Sequence, residues 1–437
     1  MHSYFVFFII YFINCILGGY ILKINKFIYC IFIFIIFISF SCTSFADDEE
    51  SENISNILTY IPTSSSLDSE PKINSRAAIV YDRNSGTILY GKNENEKRKM
   101  ASTTKIMTAI VVIENSNLND VVTISYKAAG TGGSRLGLHT NDTISVHNLL
   151  YGLLLCSGND AAVALAEHVS GSVENFSNLM NQKCNELNLN STHFVTPHGL
   201  DNEEHYTTPY ELALITNYAL NNNIFKTIVN TKNYTISINN FSKNLSNTNE
   251  LLGYLNGVYG VKTGFTNGAN RCLVTSVKRE NFDIICIVLG ADTKKDRTKD
   301  SIQLIEYVYK NFKLINIKEK INLEFENWKK CNISNFNIEK GISNSINVCI
   351  DEIPYDYFPV KSNLIDSLSI YIYCENNFEA PLNQFSKIGY LTVSIDNKTI
   401  ITLNLYNKNF VAQKSFSDFM QNIFNNYIYY LESIFFK

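Results

Sequence analysis

The change of hydrophobic period along residues 77–312 constrains this chain most. Ala77 to Asp82 and Thr87 to Gly91 read as strands, and Asn84-Ser85-Gly86 between them carries turn chemistry, which predicts a β-hairpin. After Met100 the spacing becomes helical, with Ile106, Ala109, Ile110 and Ile113 on one face. Further helices are expected from Val146 to Leu155, from Asp160 to Val169 and from Tyr210 to Leu220. From Gly260 strands return. Cys272 to Val277 and Ile284 to Leu289 flank a turn at Arg279-Glu280-Asn281, and a helix from Ser301 to Phe312 closes the unit. A strand hairpin, a block of helices, then strands and a last helix predict an α+β domain with helices packed on an antiparallel sheet.

The flanks differ from this core. Tyr4 to Leu22 and Phe27 to Phe40 are apolar, Lys23 and Lys26 stand between them, and Ser44-Phe45-Ala46 precedes four acids. A basic start, an apolar run and a small-x-small site predict a secretory signal, with translation beginning nearer Lys23. A two-helix membrane anchor over residues 1–46 is the other reading. Residues 47–72 are acidic and Ser-rich and read as a linker. Residues 73–313 form the α+β unit, and 314–412 carry short alternating segments, such as Ser367 to Tyr373 and Tyr390 to Ile395, expected to build a small β-rich module. In residues 413–437, Phe416, Phe419, Met420, Ile423, Phe424, Tyr427, Leu431, Ile434 and Phe435 share one helical face. That pattern suits either a helix lying in a membrane surface or a terminal helix packed on the β module.

Composition excludes some classes. The net charge is −4, and −6 without the leader's Lys23 and Lys26, so a nucleic-acid partner is not expected. Of 10 cysteines, Cys15, Cys30 and Cys42 lie in the leader. The remaining odd number is widely spaced, without a CxxC pair, which predicts neither a disulfide framework nor a metal site.

Three short motifs occur in order. Ser102-Thr103-Thr104-Lys105 opens the first long helix, Ser157-Gly158-Asn159 lies between two helices, and Lys262-Thr263-Gly264 begins a strand. Ser69-Glu70-Pro71-Lys72 and Ser237-Ile238-Asn239 repeat the first two patterns, but Pro71 opposes a helix through the former. Ser102 and Lys105 are one turn apart on one helix face. A serine hydroxyl needs an adjacent base to become a nucleophile, and a lysine with a lowered pKa is such a base. At a helix start the Ser102 N–H is also available to an oxyanion. Taken alone, Ser102 also suits a simple N-cap.

With Met100 to Thr108, Cys156-Ser157-Gly158-Asn159-Asp160-Ala161-Ala162, His198-Gly199-Leu200-Asp201 and Gly260 to Thr266, the chain resembles the low-molecular-mass penicillin-binding proteins, the D-alanyl-D-alanine carboxypeptidases of serine peptidase family S11. The resemblance covers roughly residues 73–312, and the β module and terminal helix also resemble that family's layout. It implies a penicillin-binding-protein/β-lactamase-like transpeptidase domain, no cofactor and no metal, peptidoglycan stem peptides as substrate, β-lactam antibiotics as covalent inhibitors, and a place outside the cytoplasm at the cell membrane or wall. It further implies Ser102 as nucleophile, Lys105 as its base and Ser157 as proton relay. Asn159 would orient Lys105 and the substrate amide. Lys262, Thr263 and Thr266 would meet the substrate, with Gly264 in the same box, and the N–H groups of Ser102 and Phe265 would form the oxyanion hole.

Other residues have a plainer reading. His198 holds the His-Gly-Leu-Asp turn, His193 and His205 are surface or core residues, and Cys156 is a packed thiol. Arg271 is either a carboxylate contact or a strand-surface charge. The alternatives within the same fold are a DD-endopeptidase and a β-lactamase, the latter needing a deacylating Glu for which Glu203 and Glu204 are the nearest candidates. A lapsed wall-binding or sensor protein would be expected to lack Lys105 or Ser157, and both are present.

Overall fold

The computed structural model describes residue 62 and residues 69–332, 336–343 and 345–435. The leader and most of the expected linker therefore lie outside the described residues.

The hairpin forms as expected. Strand β1 (Ala77–Asp82) pairs with β2 (Ile88–Lys92), and the turn is held by Asp82, whose carboxylate accepts from Ser85 N at 2.7 Å. Gly86 sits at φ +73°, a conformation that suits glycine. A 3-10 turn over Ala101–Thr104 then precedes helix α1 (Lys105–Asn115), so Ser102 lies in a tight turn rather than in the helix proper. Helices α2 (Val146–Leu154), α3 (Asn159–Ser170), α4 (Val173–Glu186), α5 (Pro209–Leu220) and α6 (Asn223–Val229) follow. α2, α4 and α5 start at Ser145, Ser172 and Thr208, whose hydroxyls accept from the first-turn N–H groups.

Strands β3 (Val258–Thr266), β4 (Asn270–Arg279) and β5 (Phe282–Ala291) complete an antiparallel five-stranded sheet in the order β2-β1-β5-β4-β3. The Lys262-Thr263-Gly264 segment sits within β3, which begins four residues earlier than the motif. β5 is buried along its whole length because both faces of the sheet are covered. Ile285, Ile287 and Leu289 join the core under α1–α6, while Ile284, Cys286 and Val288 pack beneath helix α7 (Lys294–Asn311). Period-two alternation thus divides one strand between two cores. α7 starts seven residues before the expected Ser301. Its first turn is polar, and Thr293 caps it by accepting from Asp296 N at 3.0 Å.

α7 runs directly into β6 (Phe312–Asn316), and helix α8 (Ile317–Asn332) follows, a 16-residue helix inside the segment expected to be β-rich. Its buried face is Ile317, Ile321 and Phe325. β7 (Val348–Ile350), β8 (Tyr357–Lys361), β9 (Ser369–Cys374), β10 (Lys387–Ile395) and β11 (Lys398–Asn407) follow in the second domain, beside a short parallel pair, Asn337–Glu339 with Asn377–Glu379. β6 pairs with β8, and the other four form a sheet in the order β7-β11-β10-β9 over a core of its own. Helix α9 (Phe416–Phe435) ends the described chain. None of its described side chains is buried, and Phe416 is 82% exposed, so it is not packed on the β domain.

Candidate active site

The three motifs converge because α1, the start of α3 and β3 meet at one point. Lys105, at the first position of α1, is fully buried. Its Nζ donates to Ser102 Oγ at 2.9 Å, to Asn159 Oδ1 at 2.7 Å and to the His198 carbonyl at 2.8 Å. One side-chain nitrogen therefore ties the Ser102 turn to the second motif and to the His-Gly-Leu-Asp turn. Ser102 itself remains half-buried among buried neighbours, the exposure a nucleophile needs.

β3 lies flush against that turn. A Cβ on Gly264 would come within 3.1 Å of Ser102 N and 3.1 Å of Ala101 Cβ. A side chain there would have to push its neighbours back, and the close approach brings the strand backbone up to the Ser102 N–H. Lys262 is buried, with Nζ donating to the Thr263 carbonyl at 3.0 Å. Thr263 shares a hydroxyl hydrogen bond with Thr248 at 2.7 Å. Thr266, at the strand end, donates to Asp201 Oδ1 at 2.7 Å, which ties β3 to the His-Gly-Leu-Asp turn.

Ser157 stands at φ +62°, an uncommon backbone state for a serine. Its Oγ is buried and has no hydrogen-bond partner among the described residues. A buried, unmatched hydroxyl is costly, and at this place it is free to meet a bound ligand or a water. The arrangement supplies a half-exposed hydroxyl, an amine in contact with it, a second, unmatched hydroxyl and a strand backbone close to Ser102 N. That set suits acyl transfer.

Comparison with known proteins agrees. Residues 64–293 match the family Peptidase S11, D-alanyl-D-alanine carboxypeptidase, and residues 332–413 match the penicillin-binding protein 5 C-terminal domain. The chain belongs to the D-alanyl-D-alanine carboxypeptidases of family S11. It is 30% identical to D-alanyl-D-alanine carboxypeptidase DacF of Bacillus subtilis, over 81% of this chain and 90% of that protein. It is 30% identical to DacA of Escherichia coli K12, over 82% and 87%. The solved structure of penicillin binding protein 5 from Haemophilus influenzae superposes with a TM-score of 0.65 at 30% identity, covering 79% of this chain and 99% of that one. The expected α+β fold, the second β-rich domain and the carboxypeptidase assignment therefore stand.

Within this S11 site several residues have clearer roles than the sequence offered. His198 contributes its carbonyl to Lys105, while its Nδ1 accepts from Leu200 N at 3.2 Å. Burial, with Lys105 and His205 nearby, lowers its pKa to about 3. His205 is a core residue beneath the nucleophile turn. Its Nδ1 accepts from Val195 N at 3.0 Å, so its proton sits on Nε2 and is donated to Thr104 Oγ1 at 2.8 Å. Thr104 in turn donates to the Ala101 carbonyl at 2.8 Å. Burial lowers the His205 pKa to about 4, which keeps the ring neutral.

Arg271 is 7% exposed, with its guanidinium 3.8 Å over the Phe265 ring. That removes the strand-surface reading. The Cys156 thiol is pushed up by burial and donates to the Gly152 carbonyl at 3.1 Å, as a packed thiol should. Glu203 is 88% exposed and paired with Lys99, and Glu204 is exposed as well, so neither stands as a buried deacylating base. Asp160 escaped the sequence reading as a functional residue, although it follows Asn159 directly.

Proposed function

We propose that Ser102 carries the acyl-enzyme when this carboxypeptidase removes the terminal D-alanine from peptidoglycan pentapeptide stems. A neutral Lys105 directs its two N–H bonds at fixed acceptors, the Asn159 Oδ1 and the His198 carbonyl, and its lone pair then faces Ser102 Oγ. Ser102 Oγ attacks the carbonyl carbon between the two D-alanines, and its proton passes to Lys105. The N–H groups of Ser102 and Phe265 stabilise the oxyanion, each at about 3–4 kcal/mol in comparable sites. The C–N bond then breaks as Ser157 delivers a proton to the departing D-alanine nitrogen, and the proton held by Lys105 replaces it on Ser157. Lys105, neutral again, takes a proton from the water that attacks the ester and returns it to Ser102 Oγ as the acyl group leaves. Lys262, Thr263 and Arg271 hold the substrate's carboxylate, and the Asn159 amide orients the acyl side. Gly264 admits the strand to this position, and Thr266, through Asp201, holds its end.

The observation that carries this reading is the 2.9 Å contact between Lys105 Nζ and Ser102 Oγ in a cleft closed by β3. Labelled penicillin tests it together with a pentapeptide assay. Stable labelling and D-alanine release should both vanish in Ser102→Ala, and labelling that survived would place the nucleophile elsewhere. Rapid penicillin turnover without D-alanine release would mark a β-lactamase, and cleavage of cross-bridged dimers an endopeptidase.

The enzyme acts outside the cytoplasm, exported by the segment within residues 1–46, and α9 seats it on the membrane surface. Support comes from the apolar stripe Phe416, Phe419, Met420, Ile423, Phe424 and Tyr427 and from the helix's exposure on every side. Among the described residues no helix is long and apolar enough to cross a membrane, so α9 would lie in the interface.

A further inference from the structure

We propose that Asp160 is a positioning residue for acyl transfer: through the loop of residues 132–138 it fixes which way the Asn159 amide faces, and so where the Lys105 lone pair points. The inference rests on Lys105 acting as the base.

Asp160 is fully buried in the first turn of α3. Among the described residues no lysine, arginine or histidine forms an ion pair with it. Backbone dipoles satisfy it instead. Its Oδ1 accepts from Leu136 N at 2.7 Å and Ala161 N at 2.9 Å, and its Oδ2 accepts from Gly137 N at 2.7 Å and Leu138 N at 3.0 Å. A buried carboxylate is tolerated when such donors and a helix N-terminus surround it. Three of the four donors belong to a loop more than twenty residues earlier in the chain, so the charge clamps that loop onto the second motif.

The clamped loop reaches Asn159 from the other side. Asn159 N donates to the Ser134 carbonyl at 2.8 Å, and Asn159 Nδ2 donates to the Gly132 carbonyl at 2.7 Å. The nitrogen end of the amide is thereby committed to Gly132, and the oxygen end is left for Lys105. The two ends of an amide are nearly the same size, so sterics alone cannot choose between them. Gly133 leaves no slack either, since a Cβ there would come within 2.5 Å of Asn159 Nδ2.

The direction matters to the chemistry. With Oδ1 towards Lys105, the amide accepts an N–H and leaves the amine lone pair to Ser102. With Nδ2 there, the amide would donate into that lone pair and disable the base. It would also withdraw an acceptor that favours the ammonium form, lowering the Lys105 pKa.

The test is the pH dependence of acylation by labelled penicillin, measured on the intact exported enzyme and on Asp160→Asn and Asp160→Glu. Asparagine has one acceptor oxygen where the loop needs two, so the clamp loosens. Acylation near pH 7 should fall about 100-fold, and the acid limb of the profile should move down by about one pH unit. Asp160→Glu, which keeps both oxygens and the charge, should return most of the rate and the original limb. The other titratable and charged groups around the cleft and the loop, Cys156, His198, Asp201, His205, Lys243, Lys262 and Arg271, are common to all three proteins, so a difference between profiles reports the amide. A uniform fall that tracks the folded fraction, with no displaced limb, would overturn the proposal and leave Asp160 a purely structural residue. Should Asp160→Asn not fold, Gly137→Ala decides. Gly137 holds φ +85°, so a side chain there distorts the same loop with Asp160 intact. The same displacement is expected, and an unmoved profile overturns the proposal. Absence of labelling at Ser102 in the parent enzyme would instead refute the proposed function.

Discussion

Gly199 presses on Ala101 so closely that a Cβ at Gly199 would stand 1.9 Å from the Ala101 carbonyl oxygen. The same carbonyl accepts from Thr104, which accepts from His205. Ala101 holds φ +48° and Gly199 φ +86°, so two left-handed residues abut where the nucleophile turn begins. The turn's strained entry is maintained by its neighbours. Gly199→Ala should therefore displace the turn rather than merely crowd it. The left-handed penalty of about 1–2 kcal/mol adds to an overpacking cost of about 1–3 kcal/mol. Chemical denaturation should show a loss in that combined range, and penicillin labelling of the folded fraction should slow at least tenfold. Unchanged labelling at unchanged stability would mean the contact is slack.

If Lys105 is the base, as proposed, no side chain that stays charged should replace it. Lys105→Arg keeps a cation near Asn159 and the His198 carbonyl, but a guanidinium does not give up its proton in a protein. Acylation should fall by about 10³-fold or more, as when a nucleophile loses its base. Stopped-flow measurement of the acylation rate checks this, with circular dichroism to establish the fold. Acylation within tenfold of the parent would assign the base elsewhere.

The motifs were legible because each pairs a reactive side chain with a local pattern. Ser102 and Lys105 stand three positions apart at the head of a periodic helix, and Lys262-Thr263-Gly264 adjoins a strand pattern. The hairpin at Asn84-Ser85-Gly86 was legible for the same local reason. The long-range clamps were not. Asp160 acts on N–H groups of residues 136–138, and the sequence carries no mark of which backbone a carboxylate will meet. His205 read as surface or core because its partner, Thr104, lies about a hundred positions earlier. α8 is a different case. Ile317, Ile321, Phe325 and Trp328 do recur at helical spacing, but the alternating segments after them drew the whole region into a β reading. α7 begins early because its first two turns, Lys294 to Asp300, are polar and only Thr293 announces them.

The two buried histidines make stability fall with acid. Both have folded pKa values below the ordinary 6.5, about 3 for His198 and about 4 for His205. Above pH 6.5 the rings are neutral in both states and their contribution is intact. As pH drops below 6.5 the unfolded chain takes up protons that the folded site refuses, so stability declines until the folded values are reached. By pH 5 the loss is roughly 2 kcal/mol per histidine. Urea titrations at pH 7 and pH 5 measure it. His205→Asn should lose stability at pH 7 yet show a shallower decline between the two values, by about half of the histidine contribution. An equally steep decline in the variant would mean that His205 is protonated in the folded protein.

On the proposed membrane role of α9, its removal should separate catalysis from location. The helix contributes no buried side chain to the β domain, and its polar face carries Asp418 and Glu432 among neutral amides. A chain ending at residue 412 should therefore keep its thermal stability and its pentapeptide activity in solution, while losing sedimentation with lipid vesicles. Because the stripe is aromatic and aliphatic rather than basic, vesicle binding by the full chain should depend little on salt, unlike that of a helix drawn to anionic headgroups. Phe419→Glu and Phe424→Glu together should weaken vesicle binding at least tenfold without altering D-alanine release. A shortened chain that still sediments would move the membrane contact to the body of the protein, and one that unfolds would give α9 a structural task its exposure argues against.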